Sequence, residues 1–170
     1  MSDAEGGAAV TGPTDGETRA AAALAASGVP YTVTRHGRVS SLAEAAAARG
    51  VAPADIIKTI VVRRGDDDFL FVLVPGDRTI SWPKLRALLG ISRMSMPDAA
   101  TAKDVTGYER GTITPFGSLR AWPVLADERV TGGRSVSIGA GAHGVAATLV
   151  GDDVVRALGA TVADVTDPEK

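Results

Sequence analysis

Apolar and polar positions along the chain fall into short blocks of two kinds. Ile56-Ile57-Lys58-Thr59-Ile60-Val61-Val62 is apolar in both of its alternating sets. Ile56, Lys58, Ile60 and Val62 share one face of a strand, and Ile57, Thr59 and Val61 share the other. A strand apolar on both faces is an interior strand. Gly65-Asp66-Asp67-Asp68 separates this run from a second apolar run, Phe69 to Val74, which predicts a hairpin of residues 59–64 with residues 69–74. Further strands are predicted over residues 31–35, 122–126, 135–138, 146–150 and 161–165. The alanine-rich run 17–27 reads as a helix stopped by Gly28. Ser41-Leu42-Ala43-Glu44 fits a capping box for a helix closed by Gly50. Pro53-Ala54-Asp55 begins a helical turn that feeds the lysine strand. Ser81-Trp82-Pro83 opens a helix through Leu89, ahead of Gly90. Residues 97–105 and 152–158 read as short helices, and 106–118 as a loop. Residues 1–16, with no apolar period, read as a disordered tail. That leaves one domain over residues 17–167. Hairpins outnumber βαβ alternation, so the expected class is α+β with a mixed sheet.

Composition narrows the chemistry. The 170 residues are 45% hydrophobic but only 4% aromatic, so aliphatic side chains must fill the core. The net charge of -2 provides no global basic field for a long nucleic acid. There is no cysteine, which removes disulfides, thiolate metal sites and a cysteine nucleophile. Two histidines, His36 and His143, are too few for a histidine-built metal centre. No cofactor and no metal are therefore expected. No apolar run reaches membrane-span length, and the N-terminus lacks a secretory pattern, so the expectation is a cytoplasmic protein without a membrane partner.

Three features could carry chemistry. Lys58 stands at the mouth of an interior strand. It either extends its ammonium into water or points it into a cleft at a carbonyl-bearing or phosphate-bearing ligand. Gly111-Thr112-Ile113-Thr114-Pro115-Phe116-Gly117 can bring backbone close to a ligand, or be an ordinary turn. Gly139-Ala140-Gly141-Ala142-His143-Gly144 is a flexible hairpin connection or a glycine floor under a small ligand; it is neither a phosphate loop nor a dinucleotide fingerprint. No nucleophile elbow accompanies either histidine.

In order and spacing, these motifs resemble the YbaK/ProX family of aminoacyl-tRNA editing domains. The matching stretches are Leu42-Ala43-Glu44-Ala45-Ala46, Ile57-Lys58-Thr59-Ile60-Val61, Val74-Pro75-Gly76-Asp77, Gly107-Tyr108, Gly111-x-x-x-Pro115-x-Gly117, Gly139-Ala140-Gly141, and Leu158-Gly159-Ala160-x-Val162-Ala163-Asp164-Val165. The resemblance implies an α+β domain with a mixed, partly barrel-like β-sheet and surrounding helices. It implies a freestanding trans-editing deacylase that hydrolyses the ester of mischarged aminoacyl-tRNA, with a small amino acid and tRNA-Pro as candidate substrate. Its partners would be the aminoacyl-tRNA acceptor end and, as a second candidate, a synthetase. Such an enzyme removes errors that a synthetase pocket cannot reject. Carried over by residue, Lys58 and Gly111 match the catalytic positions, while Thr59, Thr112, Pro115, Gly139 and Gly141 match substrate-binding positions. Thr112 after Gly111, Gly139 where cysteine-specific members tend to carry serine, and Ala146 where they carry an acid depart from the cysteine-specific pattern. Arg63, Arg64, Arg110 and Arg134 are candidates for a basic rim. Two alternatives stand beside this reading: a non-catalytic aminoacyl-tRNA or synthetase-binding module of the same fold, and a hydrolase of small-metabolite esters.

Overall fold

The computed structural model describes residues 14–169. Of the expected tail over residues 1–16, the first thirteen lie outside the described residues, and the last three belong to the first helix and its cap. Helix α1 (Asp15–Ser27) begins two residues ahead of the expected start, because the Thr14 side chain accepts from the Glu17 N–H and caps it. Gly28, in left-handed conformation, ends it.

The chain continues as β1 (Thr32–Arg35), α2 (Leu42–Arg49), a 3-10 turn (Pro53–Asp55), β2 (Ile56–Gly65), β3 (Asp68–Pro75) and β4 (Arg78–Ile80). Then come α3 (Trp82–Leu89), α4 (Ala99–Thr106), β5 (Val124–Asp127) and a second 3-10 turn (Glu128–Val130). The last elements are β6 (Ser135–Gly139), β7 (Val145–Val150), α5 (Gly151–Leu158), β8 (Thr161–Ala163) and β9 (Thr166–Pro168). Caps define the short helices. Ser41 accepts from the Glu44 N–H at 3.0 Å, while the Glu44 carboxylate accepts from the Ser40 N–H and hydroxyl, one residue beyond the cap that an ideal box would reach. Ser81 caps α3 through the Lys84 N–H, and Asp98 caps α4 through Thr101.

Seven strands form one mixed sheet in the order β1-β7-β6-β2-β3-β5-β8. The pairs β2/β6, β3/β5 and β5/β8 are parallel and the rest antiparallel, which is the expected α+β architecture. The lysine strand is indeed interior. Ile57 and Val61 join Phe69, Phe71, Leu73, Val136 and Ile138 in the larger core, where Leu24 of α1 and Val154 of α5 cover them. On the other face, Val62 joins Leu70, Val72, Val74 and Leu85 of α3.

The strands depart from expectation in two places. Residues 161–165 do not form one strand: β8 ends at Ala163, and β9 pairs antiparallel with β4 as a separate two-stranded ribbon. Buried Asp127 forces the break by accepting hydrogen bonds from the Val165 N–H (3.1 Å) and the Thr166 hydroxyl (2.8 Å). The strand expected from Trp122 starts only at Val124. Trp122 instead turns its indole N–H to the Val105 carbonyl at 2.7 Å, and Pro123 cannot donate to a ladder.

Candidate functional site

The site arises where two neighbouring strands part. β2 and β6 pair only at Ile56–Ser137 and Ile57–Ile138. Beyond Ile57 the strands separate, until Arg63 exchanges backbone hydrogen bonds with Ser95 at 2.7 and 3.1 Å. Between these ties one edge of β2 is open. Backbone direction alternates along a strand, so the register fixes which groups face the gap. The Phe71 N–H donates to Pro123, away from β2, and Phe71 stands opposite Val61. Val61, Thr59 and Arg63 therefore turn their N–H and C=O groups away from β3. Arg63 spends its pair on Ser95, while those of Thr59 and Val61 face the opening.

A cavity of about 340 Å³ occupies this gap. Both faces of β2 line it: Lys58 and Ile60 from one, Thr59 and Val61 from the other. Gly111 and Ile113 come from the loop after α4, Gly139 from β6, Met96 and Pro97 from the segment before α4, and Arg49 and Arg110 add charge. Among the described residues, no carboxylate lines it. The walls are thus aliphatic and the charged side chains that line it are all positive.

Lys58 donates from Nζ to the Arg78 carbonyl at 2.7 Å and stands 3.6 Å from the Glu169 carboxylate. Its side chain is 30% exposed, so the ammonium is neither sealed in the core nor free in water. An ammonium has three donors, and the one spent on Arg78 leaves two to turn toward a ligand. Thr59 Oγ1 is buried without a hydrogen-bond partner among the described residues, a state that costs free energy unless a ligand or water satisfies it. Gly111 has a φ of +90°, which L side chains rarely adopt. Gly139 differs: its φ is not left-handed, and a Cβ there would meet only the Ile113 carbonyl, at 3.6 Å. Neither backbone strain nor packing demands glycine at this position, so the missing side chain is simply cavity space.

The remaining expected positions lie elsewhere. Thr112 and Gly141 line a second hollow with Arg19, Tyr108 and His143. The Thr112 hydroxyl is spent on the Glu109 carbonyl at 2.8 Å. Gly141 has a φ of +88°, and a Cβ on it would collide with the Gly16 carbonyl; its role is to let the hairpin approach α1. Pro115 lines neither hollow. Of the four arginines expected at a rim, only Arg110 lines the cavity; Arg63, Arg64 and Arg134 pair with Asp66, Asp68 and Asp55.

Two arginines were not anticipated. Arg19 of α1 donates to the Gly117 carbonyl at 3.2 Å and the Gly107 carbonyl at 2.6 Å, clamping both ends of the loop that carries Gly111. Its guanidinium lies 4.7 Å from the Tyr108 ring centre. Tyr108 in turn donates from its buried hydroxyl to the Phe116 carbonyl at 2.6 Å, and burial pushes the phenol up from its ordinary value. The second, Arg49, is half-buried, and burial pulls it down from its ordinary value. A lone arginine in an alanine-rich helix gives no signal of either kind.

The model of the aminoacyl-tRNA editing domain matches residues 36–157, most of the chain and every residue of the cavity just described. The chain belongs to the aminoacyl-tRNA editing domain family. Similar proteins include the proline--tRNA ligases of Heliobacterium modesticaldum, 38% identical over 94 residues, and of Desulfovibrio desulfuricans, 36% identical over 102 residues. These alignments cover 55% and 60% of this chain but only 16% and 17% of the ligases, so the chain spans about a sixth of the curated relatives it matches. Among solved structures, a candidate trans-editing enzyme for prolyl tRNA synthetase superposes with a TM-score of 0.82 at 22% identity, over 92% of this chain and 99% of that one. That likeness is one of fold. Among the described residues, no helix of this editing domain is long and apolar enough to cross a membrane.

Proposed function

We propose that this editing domain hydrolyses the ester of mischarged aminoacyl-tRNA in the cavity between β2 and β6, acting in trans on a small amino acid carried by tRNA-Pro. The observation that carries the reading is the combination of aliphatic walls, an open strand edge and cationic side chains, with no carboxylate lining the cavity. A tRNA 3′ end brings a base and an amino acid that suit such walls and edge, and phosphates that suit the cations. At about 340 Å³ the cavity is near the small end of ligand pockets. The terminal adenosine and its amino acid must share it, which favours a small side chain. A tRNA substrate places the protein in the cytoplasm.

The chemistry is lean. A water attacks the ester carbonyl carbon, the carbonyl oxygen becomes an oxyanion, and collapse expels the ribose oxygen, which takes a proton. The products are a free amino acid and an intact tRNA. Lys58 supplies positive charge where the oxyanion develops, and Gly111 admits the aminoacyl group against backbone. Thr59 offers its orphan hydroxyl and its outward N–H as further donors. No Ser, Cys, His, Asp or Glu lines the cavity among the described residues, and this scheme uses a water rather than a protein nucleophile, with Thr59 as a donor.

That same lack favours a second reading, a module that binds aminoacyl-tRNA without turnover. Incubation with a panel of mischarged tRNAs separates the two. Multiple turnovers on at least one member, lost in Lys58→Met with the fold intact, support hydrolysis. Saturable binding with no ester cleavage across the panel establishes the binding module instead. Faster cleavage of free aminoacyl esters than of aminoacyl-tRNA would point to a small-ester hydrolase.

A further inference from the structure

We infer that Arg49, held by His36 and Ser137, is the phosphate-binding residue of this cavity and takes the 5′-phosphate of the nucleotide bound there. The inference rests on the reading of the cavity as the seat of a tRNA 3′ end. Arg49 is the last residue of α2, a place where a cation commonly does no more than face the helix dipole. Here its guanidinium crosses to another element. Nε donates to His36 Nε2 at 3.3 Å, and Nη1 lies 3.5 Å from the Ser137 hydroxyl. Ser137 precedes Gly139 by two residues on β6 and so shares its face. The guanidinium therefore flanks the side of the strand where Gly139 leaves room.

Three properties point to an anion. Arg49 forms no ion pair among the described residues, whereas Arg63, Arg64 and Arg134 each do. Of its five N–H donors, the contacts with His36 and Ser137 leave three unassigned. And an arginine presents its donors as a planar fork that matches two phosphate oxygens at once, which a lysine cannot do. His36 acts as a positioning residue. Its Nδ1 lies 2.9 Å from the Gly37 carbonyl, so the proton sits on Nδ1 and Nε2 is left to accept from Arg49. This fixes the fork before any ligand arrives. Arg110 also lines the cavity but is exposed, with no comparable support.

The test compares adenosine 5′-monophosphate with adenosine by calorimetric titration of the full chain. A charge-assisted contact of this kind predicts that the nucleotide binds about tenfold or more tightly than the nucleoside. Arg49→Gln should bring that ratio close to one and should raise KM for aminoacyl-tRNA more than it lowers kcat. His36→Phe should lower the ratio, and His36→Asn, which restores an acceptor, should recover part of it; a purely structural histidine would show no such rescue. Circular dichroism of each variant checks the fold, and Arg49→Lys, which keeps charge without the fork, serves as a second probe expected to fall between. A ratio unchanged in Arg49→Gln, or a wild type that does not prefer the nucleotide, overturns the inference. Deacylation in the same preparation would then leave the editing reading standing. Conversely, an Arg49-dependent preference in a protein that cleaves no aminoacyl-tRNA keeps the phosphate site and removes the editing reaction.

Discussion

Gly139 and Gly141 lie two residues apart in one hairpin, yet alanine at each should have opposite effects. At Gly139 the backbone already has an ordinary conformation, and the new methyl meets nothing closer than the Ile113 carbonyl at 3.6 Å. Removing glycine from the unfolded chain then stabilises by about 0.4–1 kcal/mol, which for a domain of this size raises Tm by about 1–4 °C. At Gly141 the φ of +88° costs a side chain about 1–3 kcal/mol. The methyl also drives into the Gly16 carbonyl, and the forced backbone shift costs roughly 1–3 kcal/mol more. Gly141→Ala should therefore lower Tm by roughly 5–20 °C. Thermal unfolding followed by circular dichroism reads both. Activity should divide the other way: Gly139→Val fills cavity space in a stable protein and should abolish deacylation, whereas residual folded Gly141→Ala should retain it. If Gly139→Ala is as unstable as Gly141→Ala, the account of the cavity wall is wrong. If stable Gly139→Val keeps full activity, the cavity is not the site.

Four further outcomes are expected. Lys58→Met should reduce kcat/KM about 100-fold to 1000-fold, the range for loss of one oxyanion-stabilising group, while moving the urea midpoint little, because its pairing with half-exposed Glu169 is weak; a loss under tenfold would end the proposed role. Tyr108→Phe removes the buried bond to Phe116 and should cost about 1–3 kcal/mol in urea unfolding, with a fall in kcat as the Gly111 loop loosens. Asp127→Ala strands the Val165 N–H and the Thr166 hydroxyl and should cost about 3–5 kcal/mol by the same assay. Hydrogen bonds from Arg129 and Lys84 hold the Asp164 carboxyl below its usual range. Its folded-state value is depressed, so its contribution is full above the ordinary carboxylate range and is lost as pH falls through the depressed value. The stability gap between wild type and Asp164→Asn, measured by urea unfolding, should be present at pH 6 and close in strong acid.

Much of this architecture was legible because local and tertiary preferences agree. The two-faced apolar run around Lys58 reads as an interior strand, and Gly28, Gly50 and Gly90 mark helix ends by the conformation they permit. The ribbon of β4 and β9 was hidden, since three residues have no period and Pro168 argues against a strand. At the site, Lys58, Thr59, Gly111 and Gly139 could be grouped from the motifs that hold them. Thr112, Pro115 and Gly141 could not be told apart from them, because a motif does not say which of its members face the ligand and which support the turn. Arg49 and Arg19 act across long sequence separations, through partners no local pattern reveals.

The parting of β2 from β6 has a consequence for selectivity. Ile57 and Arg63 are tied at either end, six residues apart, which at the usual strand rise sets an opening about 20 Å long. Ile57 is anchored within the sheet, and Arg63 by an isolated bridge to Ser95, in the segment between α3 and α4. Under the proposed function, the length of this edge bounds how much of an aminoacylated 3′ end can be held against β2, and so which substrates fit.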